Sequence, residues 1–156
     1  MRRHRGGYTA RVPHPALSDP IMKTKPCLTL DDCKIIAAAA EAHARANHWA
    51  VAIAIVDDGG HLLWLQRMDG AGISTVRVSE GKARTAAYGR KPSKVYEEMV
   101  NKDGRVSATM MPGMLHMEGA LPIMVEGQCV GAVGASGVKS AEDAQIAEAG
   151  IKALLG

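Results

Sequence analysis

The stretch AVAIAIVDDGGHLLWLQRM, residues 50–68, decides the fold. Its first seven residues are apolar and rich in β-branched side chains, the composition of a strand covered on both faces. Asp57, Asp58, Gly59, Gly60 and His61 then supply turn chemistry, and Leu62–Met68 reads as the returning strand. These two strands are therefore expected to be antiparallel neighbours. A second pair of the same kind lies downstream, where ALPIMV (120–125) and CVGAVGAS (129–136) flank Glu126, Gly127 and Gln128. Two hairpins make an antiparallel sheet.

Helices are expected around these hairpins. Thr29 followed by Asp32 has the spacing of a capping box, and Leu30, Cys33, Ala37, Ala40 and Ala44 recur at helical intervals until Asn47 and His48. Ser74 is placed to cap a second helix running to about Tyr88, and Pro92 with Ser93 to restart a shorter one. Ser140 with Asp143 repeats the capping-box spacing, ahead of a stripe of Ala144, Ala147, Ile151 and Leu154. Between Asn101 and Glu118 the periodicity fades among Gly104, Pro112, Gly113 and several methionines, and a long loop at a site or interface is expected. The order helix, hairpin, helices, hairpin, helix favours an α+β sheet with packed helices over an alternating Rossmann arrangement.

Composition narrows the function. The chain has 156 residues, 47% hydrophobic and 22% charged, with no Phe and nine Met. One domain is expected, with a core of small and flexible side chains that association would help to cover. The formal charge of +3 is carried by residues 1–21, whose Arg2, Arg3, Arg5 and Arg11 outweigh Asp19; residues 22–156 hold fifteen basic and fifteen acidic groups. Residues 1–21 read as a flexible basic extension, and the domain as 22–156. A clustered basic surface for nucleic acid is absent from the pattern. No run approaches the ~20 apolar residues of a membrane span, and no signal peptide is visible, so a cytoplasmic protein is expected. Cys27, Cys33 and Cys129 have no metal-ligand spacing and read as reduced thiols; no metal site is expected.

The tempting motif is GAVGASGVKS (131–140), but it meets neither the P-loop nor the dinucleotide pattern; its glycines read better as close-approach points. His61 beside a tight turn and His116 in PGMLHMEG are candidate ligands for haem iron, against the blander reading of hydrogen-bonded or solvated histidines. Met110, Met111, Met114, Met117 and Met124 lie near His116 in sequence and could form a flexible apolar wall, though Met more often fills space. Arg67, Asp69, Lys82 and Glu118 flank apolar segments and could converge on an anionic ligand or remain ordinary surface charges.

Taken together, AVAIAIVDDGGHLLWLQRMDGA (50–71), GKARTAAYGRKPS (81–93) and PGMLHMEGALPIMVEGQCVGAVGASG (112–137) resemble the GlcG/HbpS-like, or haem-degrading domain, family over Thr29 to Leu155. The resemblance implies a profilin-like fold, a five-stranded antiparallel sheet flanked by helices in α/β/α layers, assembled as a homo-oligomer between tetramer and octamer. It also implies binding of haem or a related tetrapyrrole, in a role accessory to a catabolic pathway. Carried onto this chain, it points to Arg67, Met68 and Asp69, to Lys82 and Thr85, and to Glu118 and Gly119. The chain departs from the family pattern at Ala120 and His116. Two other functions stay open: a cofactor-free isomerase or lyase acting on a small carboxylate, with Glu118 as base and Arg67 or Lys82 as clamp, and an oligomeric accessory protein without ligand.

Overall fold

The structure is a computed structural model, and it describes residues 24–156. The expected N-terminal extension lies outside the described residues. Helix α1 (Leu30–Ala46) leads to strands β1 (Ala52–Asp57) and β2 (Leu62–Arg67); α2 (Thr75–Gly89) and α3 (Lys94–Asn101) follow, then a short 3-10 turn, Val106–Met110. Strands β3 (Ala120–Val125) and β4 (Gln128–Ser136) and helix α4 (Ser140–Leu155) complete the chain. Both hairpins form where the sequence places them, and their strands join in one antiparallel sheet of order β2-β1-β4-β3.

The period-2 alternation of β1 assigns its faces. Val51, Ile53 and Ile55 point to a core shared with Cys33, Ile36, Ala37, Ala40 and Ala44 of α1, Ile146 and Ala147 of α4, and Val133 of β4. Ala54 and Val56 point the other way, onto Ala83, Ala86 and Ala87 of α2. The sheet is thus sandwiched between α1 with α4 on one side and α2 on the other, the expected α/β/α layering. Alanine on both sides of the α2 interface lets helix and sheet approach closely. Gly134 shows how closely: a Cβ there would overlap the carbonyl oxygen of Ser79 and lie 2.7 Å from Ala83 N. The glycines of the tempting motif are indeed close-approach points here.

Four expectations need correction. The sheet has four strands among the described residues, not five; the chain between α3 and β3, the last long connection, carries no alternating β-branched run and forms the 3-10 turn instead. Leu30 is 58% exposed, and Ile36 takes its place in the buried stripe of α1. Ser74 makes no side-chain cap bond to α2. Ser140 and Asp143 do not cap α4 as a pair: Lys139 is the N-cap, its N–H donates to Glu142 Oε2 at 3.1 Å, and Asp143 turns inward. The Thr29 and Asp32 capping box forms as expected, with Asp32 Oδ2 accepting from Thr29 N at 2.7 Å.

Candidate functional site

Three groups of residues can be followed upward from the elements that hold them. The first is the tip of the β1–β2 hairpin. Asp57 ends β1, and its Oδ1 accepts from the N–H groups of Gly59 (2.9 Å) and His61 (2.8 Å), closing the turn. Its Oδ2 lies 3.1 Å from Nδ1 of His61, whose side chain is 82% exposed. The carboxylate thereby orients the imidazole and leaves Nε2 open to solvent. Partial burial raises the Asp57 carboxyl, but the hydrogen bonds from His61 and Gly59 outweigh it and hold the carboxyl below its usual range. Gly60, at φ 77°, packs so tightly on Tyr88 and Arg84 of α2 that a Cβ would lie 2.5 Å from Tyr88 Cε1. Gly113 of the methionine-bearing segment packs on the same two side chains, 3.3 Å from Arg84 Cδ in the same sense. The half-exposed Tyr88 ring therefore lies between the hairpin tip and the turn that precedes Met114.

The second group joins α2 to the segment before β3. Thr85 Oγ1 accepts from Leu115 N at 2.7 Å and lies 3.0 Å from Leu115 O, pinning the chain against Gly81. His116 follows, its ring edge-on to Tyr96 at 6.0 Å, with Nε2 buried and without a hydrogen-bond partner among the described residues. Lys82, one turn before Thr85, is 2% exposed. Its ammonium donates to Asp143 Oδ2 at 2.7 Å and to Ala135 O at 3.3 Å. Gly119, at φ 128°, covers this ion pair: a Cβ would come within 2.7 Å of Lys82 Nζ and 2.9 Å of Asp143 Cβ. Burial pushes the Asp143 carboxyl above its usual value, against the pull of Lys82 and of the Val138 N–H.

Charged recesses form the third group. One, of about 210 Å³, is lined by Glu41, Arg45, Gln66, Arg67, Met68 and Asp69. Gln66 is fixed there by Trp64 Nε1 (2.9 Å) and Glu41 Oε2 (2.8 Å), while Arg67 has no acidic partner among the described residues. The other, of about 250 Å³, lies along α3 between Lys94, Glu97, Glu98, Asn101, Lys102 and Glu118. Glu118 Oε1 accepts from Lys94 at 3.2 Å, and the Glu118 N–H donates to Glu97.

Arg67, Lys82 and Glu118 thus do not line one recess within a single chain. Arg67, Met68 and Asp69 stay together, as do Lys82 and Gly119, with Thr85 one turn on; Glu118 faces α3. Asp143, Tyr96 and Gln66 were missed by sequence reasoning. A carboxylate in a first helical turn looks like a cap, and no periodic signal separates Asp143 from Glu142. No group of three His, Cys, Asp or Glu side chains among the described residues is arranged to hold a metal ion, and no helix there is long and apolar enough to cross a membrane.

The profile of the family described as haem degrading protein HbpS-like matches residues 28–152. Protein GlcG of Escherichia coli K12 is 48% identical over 115 residues, covering 74% of this chain and 85% of GlcG. The crystal structure of HbpS superimposes with a TM-score of 0.81 at 29% identity, covering 91% of this chain and 99% of HbpS. A PduOC:heme complex shares the fold, with a TM-score of 0.75 at 23% identity over 82% of this chain and 95% of PduOC. On the family profile and the identity to GlcG, the chain belongs to the HbpS-like haem degrading protein family.

Proposed function

We propose that the protein binds haem or a related tetrapyrrole at the tip of its first hairpin, in a role accessory to a catabolic pathway. One observation carries the reading: His61 has its Nδ1 tied to a carboxylate and its Nε2 exposed. Histidines that ligate metals almost always give their other ring nitrogen to such an acceptor, which fixes the tautomer and raises the basicity of the free nitrogen. His116 offers another nitrogen, but its Nε2 is buried, and Thr85 holds the preceding residue by two hydrogen bonds. That segment must swing outward before His116 can serve.

The surroundings of His61 fit a flat apolar ring. Leu62 and Tyr88, 44% and 46% exposed, flank the tip. Lys82 is committed to Asp143 and is not free to meet a propionate; Arg67, at the far end of β2, lies beyond the reach of a ring held by His61. When bound, the iron porphyrin supplies redox and ligand-exchange chemistry; this chain's own residues orient the imidazole and shield one ring face.

Hemin titration tests the reading. A saturable Soret shift is expected for the wild-type protein and for His116→Ala, and its loss for His61→Ala; Asp57→Asn should weaken binding tenfold or more. No saturable shift with wild-type protein, or an unchanged one with His61→Ala, overturns the assignment.

A second reading has one observation in its favour. The Glu118 carboxylate shares a recess with Lys94 and Lys102, and also with Glu97 and Glu98, so a small carboxylate would have to displace the Lys94–Glu118 pair to use Glu118 as base. Full turnover of an identified substrate by Glu118→Gln removes that role. Absence of thermal stabilisation by any tetrapyrrole or small acid would instead favour an accessory protein without ligand.

A further inference from the structure

The core leaves the methionine-bearing segment ahead of β3 unexplained. Met111, Met114 and Met117 recur at every third residue, with His116 among them. None of the three methionines belongs to either core cluster, and none packs on the larger one. Met117 is 40% exposed. Filling space, the usual task of a methionine, does not account for them.

The backbone gathers these four side chains. Met114 N donates to Met111 O at 3.4 Å across a turn with Pro112 in second place and Gly113, at φ 74°, in third. Those are the marks of a type II β-turn, whose end Cα atoms lie within about 7 Å of each other. Two thioether side chains with three torsions each can close that span. Met117 N then donates to Leu115 O at 2.9 Å, a γ-turn with His116 at its apex. Thr85 fixes the join between the two turns through its bonds to Leu115 N and O. The Nε2 of His116 is buried and meets no polar group among the described residues. Buried polar atoms rarely go without a partner, and a neutral imidazole nitrogen is a ready metal ligand.

We propose that Met111, Met114, His116 and Met117 bind a soft monovalent cation of the Cu(I) or Ag(I) class. Donor chemistry selects the ion. Thioethers favour Cu(I), whereas carboxylate and water donors suit Mg(II), Ca(II) and Mn(II). All four donors here are neutral, and residues 111–117 contain no carboxylate to offset a second positive charge. The carboxylate of Glu118, next in the chain, is held by Lys94 at 3.2 Å. Arg84, whose stem packs on Gly113, has its own charge compensated by Glu80 at 2.6 Å. A bare ion also reaches the segment without the outward swing that a porphyrin would require of His116, and its donors include nothing of the hairpin tip.

Anaerobic titration of the full chain with Cu(I) buffered by bicinchoninate tests this. A Cys27→Ser background removes the exposed thiol, a competing soft donor. One equivalent of Cu(I) should be withdrawn from the chelator. Met114→Leu with Met117→Leu, a swap that conserves apolar volume, should weaken capture by about a hundredfold or more, and His116→Ala by about tenfold or more, since loss of outer-shell partners alone spans that range. Ag(I) supplies an independent readout: the ε-methyl resonances of Met111, Met114 and Met117 should shift together, with that of Met68 unmoved. Capture that vanishes in Cys27→Ser alone, an unchanged affinity in the double leucine variant, or segment resonances unmoved by Ag(I) overturns the proposal. Hemin enters none of these measurements, and the Soret shift expected of His61 should survive in both variants.

Discussion

Lys82 and Asp143 show how far one residue's environment departs from its class. Both are almost fully buried and 2.7 Å apart, and Gly119 closes over them without a side chain. Removing one partner of such a pair strands a charge and typically costs about 3–5 kcal/mol, whereas replacing both by apolar residues can be nearly neutral. Lys82→Met should therefore destabilise the protein by about that amount in denaturant unfolding at pH 8, and Lys82→Met with Asp143→Leu should recover most of it. The pH dependence has a definite sign. Burial already raises the Asp143 carboxyl in the folded state, so its contribution is complete below its unfolded pKa and is lost as pH rises through the folded value. Taking away Lys82 raises that value further. The penalty of Lys82→Met should consequently grow as pH rises above the ordinary carboxylate range; a penalty that shrinks with rising pH would contradict the burial of an unpaired carboxylate.

At the scale of elements, the start of α1 carries the opposite pH signature. Bonds from the Thr29 N–H and hydroxyl hold the Asp32 carboxyl below its usual range. A lowered folded pKa gives stability that is present above the unfolded value and lost as pH falls through the folded one. Thr29→Ala should cost about 1 kcal/mol at neutral pH, and Asp32→Asn should flatten the acid limb of the unfolding curve between about pH 4 and pH 2. An acid limb unchanged by Asp32→Asn would show that the cap carries no weight. This cap was legible in the sequence because its signal is local: two residues three apart, ahead of a 3.6-residue stripe. Both hairpins were legible for the same reason. The inward turn of Asp143 was not, since its partner stands 61 positions away and the local spacing mimics a cap. The 3-10 turn escaped too; five residues among glycine and proline carry less than two turns of periodicity. The candidate site divides along this line, with the hairpin tip of Asp57 and His61 readable from adjacent residues and the placement of Arg67, Lys82 and Glu118 settled by tertiary packing alone.

The whole molecule is three thin layers, and their thinness follows from composition. With no Phe in the chain, the α2 side of the sheet is filled by Ala54, Val56, Ala83, Ala86, Ala87, Ala120 and Ala132, and the helix rests on the bare backbone of Gly134. Such an interface has no slack, because interiors are close-packed and an added methyl must displace something. At Gly134 the displaced atoms are main-chain atoms of Ser79 and Ala83, which cannot rotate aside as a side chain can. Gly134→Ala should therefore destabilise the fold by about 1–3 kcal/mol or more and push α2 off the sheet. The hydrogen bonds that Thr85 and Arg84 make from α2, to Leu115 and to Gly60, should loosen with it, so amide exchange at Leu115 should accelerate. Gly72→Ala is the matched comparison: its φ is not positive and its nearest neighbour, Thr75 Cγ2, lies at an ordinary 3.7 Å. There the smaller unfolded-state entropy should leave stability unchanged or raised by up to about 1 kcal/mol. Equal effects from the two substitutions in thermal unfolding would mean that the layers yield, and that close approach of α2 does not hold the hairpin tip and the His116 segment in place.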